Sequence, residues 1–183
     1  MTHITQRWKL RLIVLAMLAT VLITKPDVER YGDNFQIALP IIALGCAATN
    51  GQALDFVARY ATMMVVVHGS KNLLGDAKIN QRPRGGGKGF PSGHTSTAVL
   101  GASYLVHSCV DNNIWVKGLA VISAGFVGGS RIAVGAHDIW QVLVGALTGW
   151  LCERGFRGRR SLLGWIRHIF ALSVGKSRPD HPK

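Results

Sequence analysis

The chain has 183 residues, of which 48% are hydrophobic, yet 21 Lys and Arg against 9 Asp and Glu give it a formal charge of +12. This length fits one domain. A nucleic-acid-binding protein is disfavoured, because no basic helix carries interleaved aromatic residues and the apolar runs are too long for a small soluble domain. The charges instead gather in three segments: Arg7–Arg11, Lys71–Lys88 and Arg154–Lys183.

Six apolar runs alternate with these basic segments. A membrane-spanning helix needs about 20 mostly apolar residues, and several of the runs fall short of this alone. Six of them in so small a chain still favour a membrane bundle over a soluble core. The sequence therefore predicts an all-α fold, a six-span transmembrane helix bundle. The runs are Leu12–Ile23, Phe35–Thr49, Ala61–Val67, Thr95–Val110, Ile114–Val134 and Ile139–Cys152.

The first run follows the basic residues Arg7, Lys9 and Arg11, as in a secretory signal. No clear small-x-small cleavage site precedes Lys25 and Pro26. We therefore expect an uncleaved first span.

The third helix is predicted to begin near Gln52 and to end near Leu74 or Gly75. It carries Asp55 and Arg59, which are four residues apart and hence on one face. We interpret them as a structural ion pair near the cytoplasmic end.

Small residues mark two further features of the spans. Gly145 and Gly149 in the last span form a small-x-x-x-small pair, which favours close helix packing. Cys46, Cys109 and Cys152 lie in or beside apolar runs. Three cysteines so far apart predict buried small residues, with neither a disulfide framework nor a metal-binding spacing.

The basic segments at both ends place both termini in the cytoplasm, which an even number of spans satisfies. Two connections, Asp76–Pro91 and Arg131–His137, then lie on the outer face of a bacterial inner membrane. Cationic residues on that face run against the usual charge bias, and binding an anion would account for them.

Residues 1–155 are predicted to form the transmembrane domain. The segment 156–183 combines arginines with Leu162, Trp165 and Phe170. It is predicted to be a basic amphipathic tail on the cytoplasmic leaflet, where anionic lipids attract basic residues.

The outer segment Gln81–His94 contains three basic residues, five glycines, one serine and one histidine. Arginine offers a planar fork of donors suited to phosphate oxygens. Ser92 and Gly93 precede the fourth span, so their amides lie at a helix N-terminus, where an anion is favoured. These residues predict a phosphate site.

Three blocks carry a family resemblance: Arg82-Pro83, then Pro91-Ser92-Gly93-His94, then Ser130-Arg131 with His137 six residues after the arginine. In this order they resemble the signature of the type 2 phosphatidic acid phosphatase (PAP2) superfamily. Its members include membrane lipid phosphatases and soluble vanadium haloperoxidases. The resemblance covers Lys71–Gln141.

The resemblance implies a role for each block. His137 would attack phosphorus and become a phosphohistidine, while His94 would protonate the leaving oxygen and later help to activate water. Arg82 and Arg131 would clamp the phosphoryl group, with no metal or cofactor. Both histidine roles suit a pKa near neutrality. His68, by contrast, is interpreted as an ordinary polar residue.

Two positions depart from the family pattern. The family has an Asp four residues after the nucleophilic His, where this chain has Gln141. Its side-chain oxygen is expected to accept the ring N–H and fix the tautomer, without the stabilising charge. The family also has a Lys seven residues before the first Arg, where this chain has Gly75. We expect Lys71 to replace it after a one-turn insertion, with Lys78 as the alternative and Lys88 as a further contact.

The sequence therefore predicts a metal-independent lipid phosphate phosphatase acting at the outer leaflet. Its candidate substrates are phosphatidate, phosphatidylglycerol phosphate, polyprenyl pyrophosphate and the phosphates of lipid A. Two alternatives stay open. One is a lipid-to-lipid phosphotransferase of the same family; the other is a non-catalytic lipid-binding protein, motivated by Gln141 and the displaced lysine.

Overall fold

The computed structural model describes residues 3–155, which form helices and the connections between them, with no strand in this part of the chain. The six helices correspond to the six predicted spans, so the predicted all-α bundle is confirmed. The predicted tail, 156–183, lies outside the described residues. The helices are α1 (His3–Ile23), α2 (Val28–Thr49), α3 (Ala53–Leu73), α4 (Gly93–Tyr104, continued by a π turn over Leu105–Cys109), α5 (Ile114–Ala133) and α6 (Ile139–Arg154).

Side-chain caps define where these helices begin. The Asp27 carboxylate accepts the Glu29 amide at 2.7 Å at the start of α2. Asn113 caps α5, and Asp138 caps α6 by accepting the Gln141 amide at 2.8 Å. Each cap satisfies backbone donors that the helix leaves unpaired. Four of the five connections are short, whereas a longer one, residues 74–92, joins α3 to α4, and successive helices run antiparallel.

Helix α4 lies at the centre of the bundle, against α2, α5 and α6. Its contact with α6 depends on the predicted glycine pair. A Cβ atom on Gly145 would come within 2.6 Å of the Ser92 carbonyl oxygen, and one on Gly149 would collide with the Ser96 carbonyl. The backbones of α4 and α6 are therefore in direct contact.

The bundle combines an apolar core with buried polar side chains and an exposed apolar surface. Charged or polar side chains such as Arg59, Lys71 and Gln141 are buried, while five of the six helices expose large apolar residues and the central α4 exposes none. By length and composition, α5 is the one described helix that is apolar enough to cross a membrane by itself. Of the other helices, α4 and α6 are shorter, with 12 and 16 residues, and α1, α2 and α3 carry charged side chains. An exposed apolar surface of this extent fits contact with lipid.

All three cysteines are buried, as predicted, but the prediction that they form no disulfide was wrong. Cys46 near the end of α2 and Cys109 in the π turn form a disulfide, with their Cα atoms 6.2 Å apart. Cys152 is free and buried, as expected. The bridge joins positions 63 residues apart, and only the antiparallel packing of α2 and α4 brings them together.

The predicted pair Asp55–Arg59 is present at the same end of the bundle as the disulfide. A second carboxylate joins it, because Glu153 of α6 lies 3.4 Å from the Arg59 guanidinium. Glu153 also accepts a hydrogen bond of 2.6 Å from the Ser103 hydroxyl. This buried network connects α3, α4 and α6 at the end opposite to the site described next.

Candidate active site

The three sequence blocks meet at one end of the bundle, around a cavity of about 440 Å³. Both predicted outer connections lie at this end, as the span count required. Helices α2 to α5 and the two connections all contribute to its wall. The lining residues include His94 and His137, the cations Lys71, Arg82, Arg84, Lys88 and Arg131, the backbone of Gly93, and also Gln36, Tyr60 and His68.

The glycine-rich connection is held in place by Asn80, a fully buried residue. Its amide group donates to the carbonyl oxygens of Lys71 at 2.9 Å and Gly75 at 2.7 Å. Its side-chain oxygen accepts the Phe90 amide at 3.0 Å, and its own carbonyl accepts the Gly89 amide at 2.7 Å. Asn80 thus joins the end of α3 to the far end of the connection, which folds back over the cavity.

Gln141 holds the ring of His137. The Nδ1 atom of His137 lies 3.0 Å from Oε1 of Gln141, which is fully buried. The amide nitrogen of Gln141 donates to the carbonyls of Ile79 at 3.0 Å and Gln81 at 2.8 Å. These two acceptors require the amide nitrogen on their side, so the oxygen must face His137. The ring therefore carries its proton on Nδ1 and leaves the Nε2 lone pair free.

The electrostatics keep His137 uncharged. The pKa of His137 is lowered from its ordinary 6.5 to about 4, chiefly by burial and in addition by repulsion from Lys71, Arg82 and His94, against the upward effect of the Gln141 hydrogen bond. This pKa lies below the near-neutral value expected from the sequence, because the ring is buried and cations surround it. At neutral pH the imidazole is neutral, as a nucleophile must be.

Arg131, near the end of α5, is almost fully buried and its guanidinium is oriented from three directions. Its Nε donates to the Ser130 hydroxyl at 3.1 Å, one terminal nitrogen to the Asp33 carboxylate at 2.8 Å, and the other to the Glu29 carbonyl at 2.7 Å. Both α2 residues lie near the start of that helix. Arg131 therefore reaches the cavity wall in a fixed orientation.

His94 lies in the first turn of α4, and its Nε2 is 3.3 Å from the Asp33 carboxylate. Gly93 lines the cavity beside it, but Ser92 does not. The Ser92 hydroxyl is engaged with Thr95 as the cap of α4, and its amide donates to the Gln141 carbonyl at 2.9 Å. The predicted role of Ser92 thus reduces to shaping the helix start, while Gly93 borders the cavity directly.

Lys71 and Arg82 approach the cavity from the α3 side. The Lys71 ammonium donates to the Lys88 carbonyl at 2.6 Å, and the Arg82 guanidinium lies 3.5 Å from the same oxygen. The Nε atom of Arg82 is buried and has no hydrogen-bond partner among the described residues. Lys78, the alternative ligand, is exposed on a 3₁₀ turn and does not line the cavity.

We therefore expect Lys71→Met to lower phosphate turnover by about 10²-fold or more, since charge stabilisation by positioned cations is the main source of phosphoryl-transfer catalysis. Lys78→Met serves as the matched control, because it removes the same charge seven residues away and outside the cavity. Initial rates of phosphate release would measure both. Equal losses in the two variants would contradict the assignment of Lys71.

Asp33 and Asn80 are site residues that the sequence analysis missed. A signal for Asp33 existed, since it lies one turn after Glu29 at the edge of an apolar run, and ionisable residues within membrane spans mark functional positions. The predicted span began only at Phe35, which left Asp33 outside it. His68, interpreted as an ordinary polar residue, lines the cavity as well. Within residues 3–155, no group of three or more His, Cys, Asp and Glu side chains is placed to hold a metal ion.

Comparison with known proteins places this geometry in context. A model of the PAP2 superfamily matches residues 9–158. Lipid A 1-phosphatase of Helicobacter pylori is 29% identical over 131 residues, which cover 69% of this chain. The alignment spans 65% of that relative, slightly less than two thirds of its length.

A solved structure has the same fold. The crystal structure of a transmembrane PAP2-type phosphatidylglycerolphosphate phosphatase from Bacillus subtilis superposes with a TM-score of 0.50 and 19% sequence identity. The superposition covers 97% of this chain and 90% of the Bacillus chain. At this identity the likeness concerns the arrangement of the helices.

Proposed function

We propose that this chain, which belongs to the PAP2 superfamily, is a membrane phosphatase that cleaves a phosphate group from a lipid through a phosphohistidine. One observation carries the proposal: a neutral histidine, a second histidine and three of the cavity's cations meet in one cavity of a helix bundle. These are His137, His94, Lys71, Arg82 and Arg131. The family and the Helicobacter relative support the reaction class.

In the first step, the free Nε2 of His137 attacks phosphorus. A P–N bond forms, the P–O bond to the lipid breaks, and the leaving oxygen takes a proton from His94. Arg82, Arg131 and Lys71 balance the negative charge on the three phosphoryl oxygens. Gln141 keeps the attacking nitrogen directed at phosphorus by holding Nδ1–H.

In the second step, water replaces the lipid oxygen. His94, now neutral, accepts a proton from the water as its oxygen attacks phosphorus. The P–N bond breaks, inorganic phosphate leaves, and His137 regains its lone pair. His94 ends the cycle protonated, ready for the next substrate.

The Helicobacter relative indicates which lipid to test first. It is named a lipid A 1-phosphatase, so we propose a phosphorylated glycolipid of this type as the leading substrate. The large apolar surface of the bundle would keep such a lipid beside the cavity. Phosphatidylglycerol phosphate, phosphatidate and a polyprenyl pyrophosphate follow as candidates.

Phosphate release from a panel of these four lipids tests the function, with the protein purified in detergent. We expect release from at least one lipid, with lipid A 1-phosphate the fastest, and inhibition by vanadate. Product analysis by mass spectrometry separates hydrolysis from transfer, since a transferase would phosphorylate a second lipid. Absence of phosphate release from every lipid would refute the proposal.

We place the site at the outer face of a bacterial inner membrane. The N-terminal basic residues lie at the opposite end of the bundle, where Lys9 donates to the Asn50 side chain at 2.6 Å and Gln6 to the Cys109 carbonyl at 3.2 Å. Basic residues that flank a span favour the cytoplasm. The cavity end then faces outward, where a substrate in the outer leaflet would reach it.

Two variants that each add one exposed cysteine to the chain test this orientation. Gly87→Cys lies in the exposed connection at the cavity end, and Asn112→Cys lies in the exposed connection at the other end. We expect a membrane-impermeant maleimide to label only the first in spheroplasts. The reverse result would invert the topology, and would also place the Cys46–Cys109 disulfide in the oxidising compartment instead of the reducing cytoplasm.

A further inference from the structure

Asp33 of α2 contacts both the acid histidine and the phosphate clamp. One of its oxygens lies 2.8 Å from the Arg131 guanidinium and 3.3 Å from Nε2 of His94. We propose that Asp33 is the positioning residue of His94: its carboxylate holds the ring and favours the protonated form that delivers a proton to the leaving lipid oxygen. This inference rests on the proposed function and adds a residue to its machinery.

The location of Asp33 suits a residue that orients His94 and Arg131 without contacting the phosphoryl group itself. His94 and Arg131 line the cavity, whereas Asp33 does not. The carboxylate therefore approaches both side chains from outside the space that the phosphoryl group would occupy. A carboxylate in that space would repel the phosphate, but one behind the two donors orients them towards it.

The surroundings of His94 explain why a carboxylate is needed. The ring is partly buried, and Arg131 of α5 and Lys71 of α3 both oppose a positive charge on it. A general acid must nevertheless carry that charge before it donates. A carboxylate within about 4 Å stabilises an imidazolium, and Asp33 of α2 supplies it.

The contact also assigns the ring nitrogens. With Nε2–H donated to Asp33, the proton that passes to the lipid oxygen comes from Nδ1 as the P–O bond breaks. Water returns a proton to Nδ1 when the phosphohistidine is hydrolysed. The Nε2–H bond to Asp33 is kept through both steps, so the carboxylate itself neither gains nor loses a proton.

The dependence of the rate on the leaving group tests the proposal. An alkoxide needs protonation to leave, whereas a nitrophenolate leaves without it. For Asp33→Asn we expect a loss of about 10- to 100-fold on dodecyl phosphate, measured as kcat/KM because this constant reports the step that releases the lipid oxygen and not the later hydrolysis of the phosphohistidine. On a 4-nitrophenyl phosphate with a dodecyl substituent we expect little change. The inhibition constant of vanadate should stay at the wild-type value, because asparagine still accepts from Arg131.

Glu29→Gln is the matched control. Glu29 lies one turn before Asp33 and is equally exposed, and its carboxylate is 3.9 Å from the same Arg131 nitrogen, but no contact joins it to His94. We expect this variant to keep the leaving-group dependence of the wild type. Asp33→Glu, which retains the charge, should lose less on dodecyl phosphate than Asp33→Asn.

Two outcomes would overturn the inference: equal losses of Asp33→Asn on both substrates, or no loss on dodecyl phosphate. Either outcome leaves the wild-type activity, and with it the proposed function, intact. A wild-type protein inactive on these two substrates and on every lipid of the panel would instead refute the proposed function itself.

Discussion

His137→Ala is expected to lower phosphate release by about 10³-fold or more, because it removes the atom that forms the covalent bond to phosphorus. The wild-type protein, mixed with a ³²P-labelled lipid phosphate and quenched in alkali, should carry label that is lost in acid, as expected for a phosphohistidine. The alanine variant should carry none. The quantity measured is label per mole of protein after a rapid quench.

A matched control exists on the other side of the cavity. His68→Ala removes an imidazole that lines the cavity but has no assigned step, and it should still form the labelled intermediate. Retained labelling in His137→Ala would show that another residue is the nucleophile. Labelling lost in both variants would point to a collapsed cavity, which vanadate binding would reveal independently.

Gln141→Ala is expected to lower kcat by about 10- to 100-fold, the usual cost of removing a residue that orients a reacting imidazole. The His137 ring would lose its contact at Nδ1 and become free to rotate. The carbonyls of Ile79 and Gln81 would lose their donor as well, at about 1–3 kcal/mol for each buried group left unpaired. Both kcat and the thermal midpoint should therefore fall.

Gln141→Glu separates orientation from charge. Glutamate has the size of glutamine, but its second oxygen would face the Ile79 and Gln81 carbonyls in place of the donating nitrogen. We expect a folded but less stable protein, whose activity the added charge does not improve. This explains why the family aspartate would gain little here, since the present pocket is built around an amide.

Asp138→Asn is the control for this series, because asparagine also caps a helix well while the neighbouring carboxylate disappears. It should keep kcat within a few-fold of the wild type. Full turnover in Gln141→Ala would remove the orienting role. A rise of kcat in Gln141→Glu would show that charge, and not the amide, limits the rate.

The sequence predicted the helices and the common end of the two loops because apolar length and charge bias are local properties. It also predicted that Lys71 replaces the displaced lysine, and the structure places that ammonium in the cavity wall. The sequence did not predict the contacts of Asp33 with His94 and Arg131, which lie 61 and 98 positions further along the chain. Such pairs depend on how helices pack, which no local pattern specifies.

Asn80 illustrates a second limit. Its neighbours Lys78 and Gln81 are polar, so the sequence gives no reason to distinguish Asn80 from an ordinary exposed loop residue. In the structure it is fully buried and satisfies carbonyls of α3 together with the Phe90 amide. A buried polar residue in a connection is recognisable only when its hydrogen-bond partners are known.

The direct backbone contact of α4 with α6 means that the residues of α6 that set the geometry of the active site differ from those that α6 exposes. Gly145 and Gly149 set the distance between the helix that carries His94 and the helix that begins beside His137. Other α6 positions, Leu143, Leu147 and Leu151, are about half exposed. Their side chains are free to vary with the thickness and composition of the surrounding bilayer. A water-soluble version of the enzyme could be sought by redesigning those positions while the catalytic geometry stays the same.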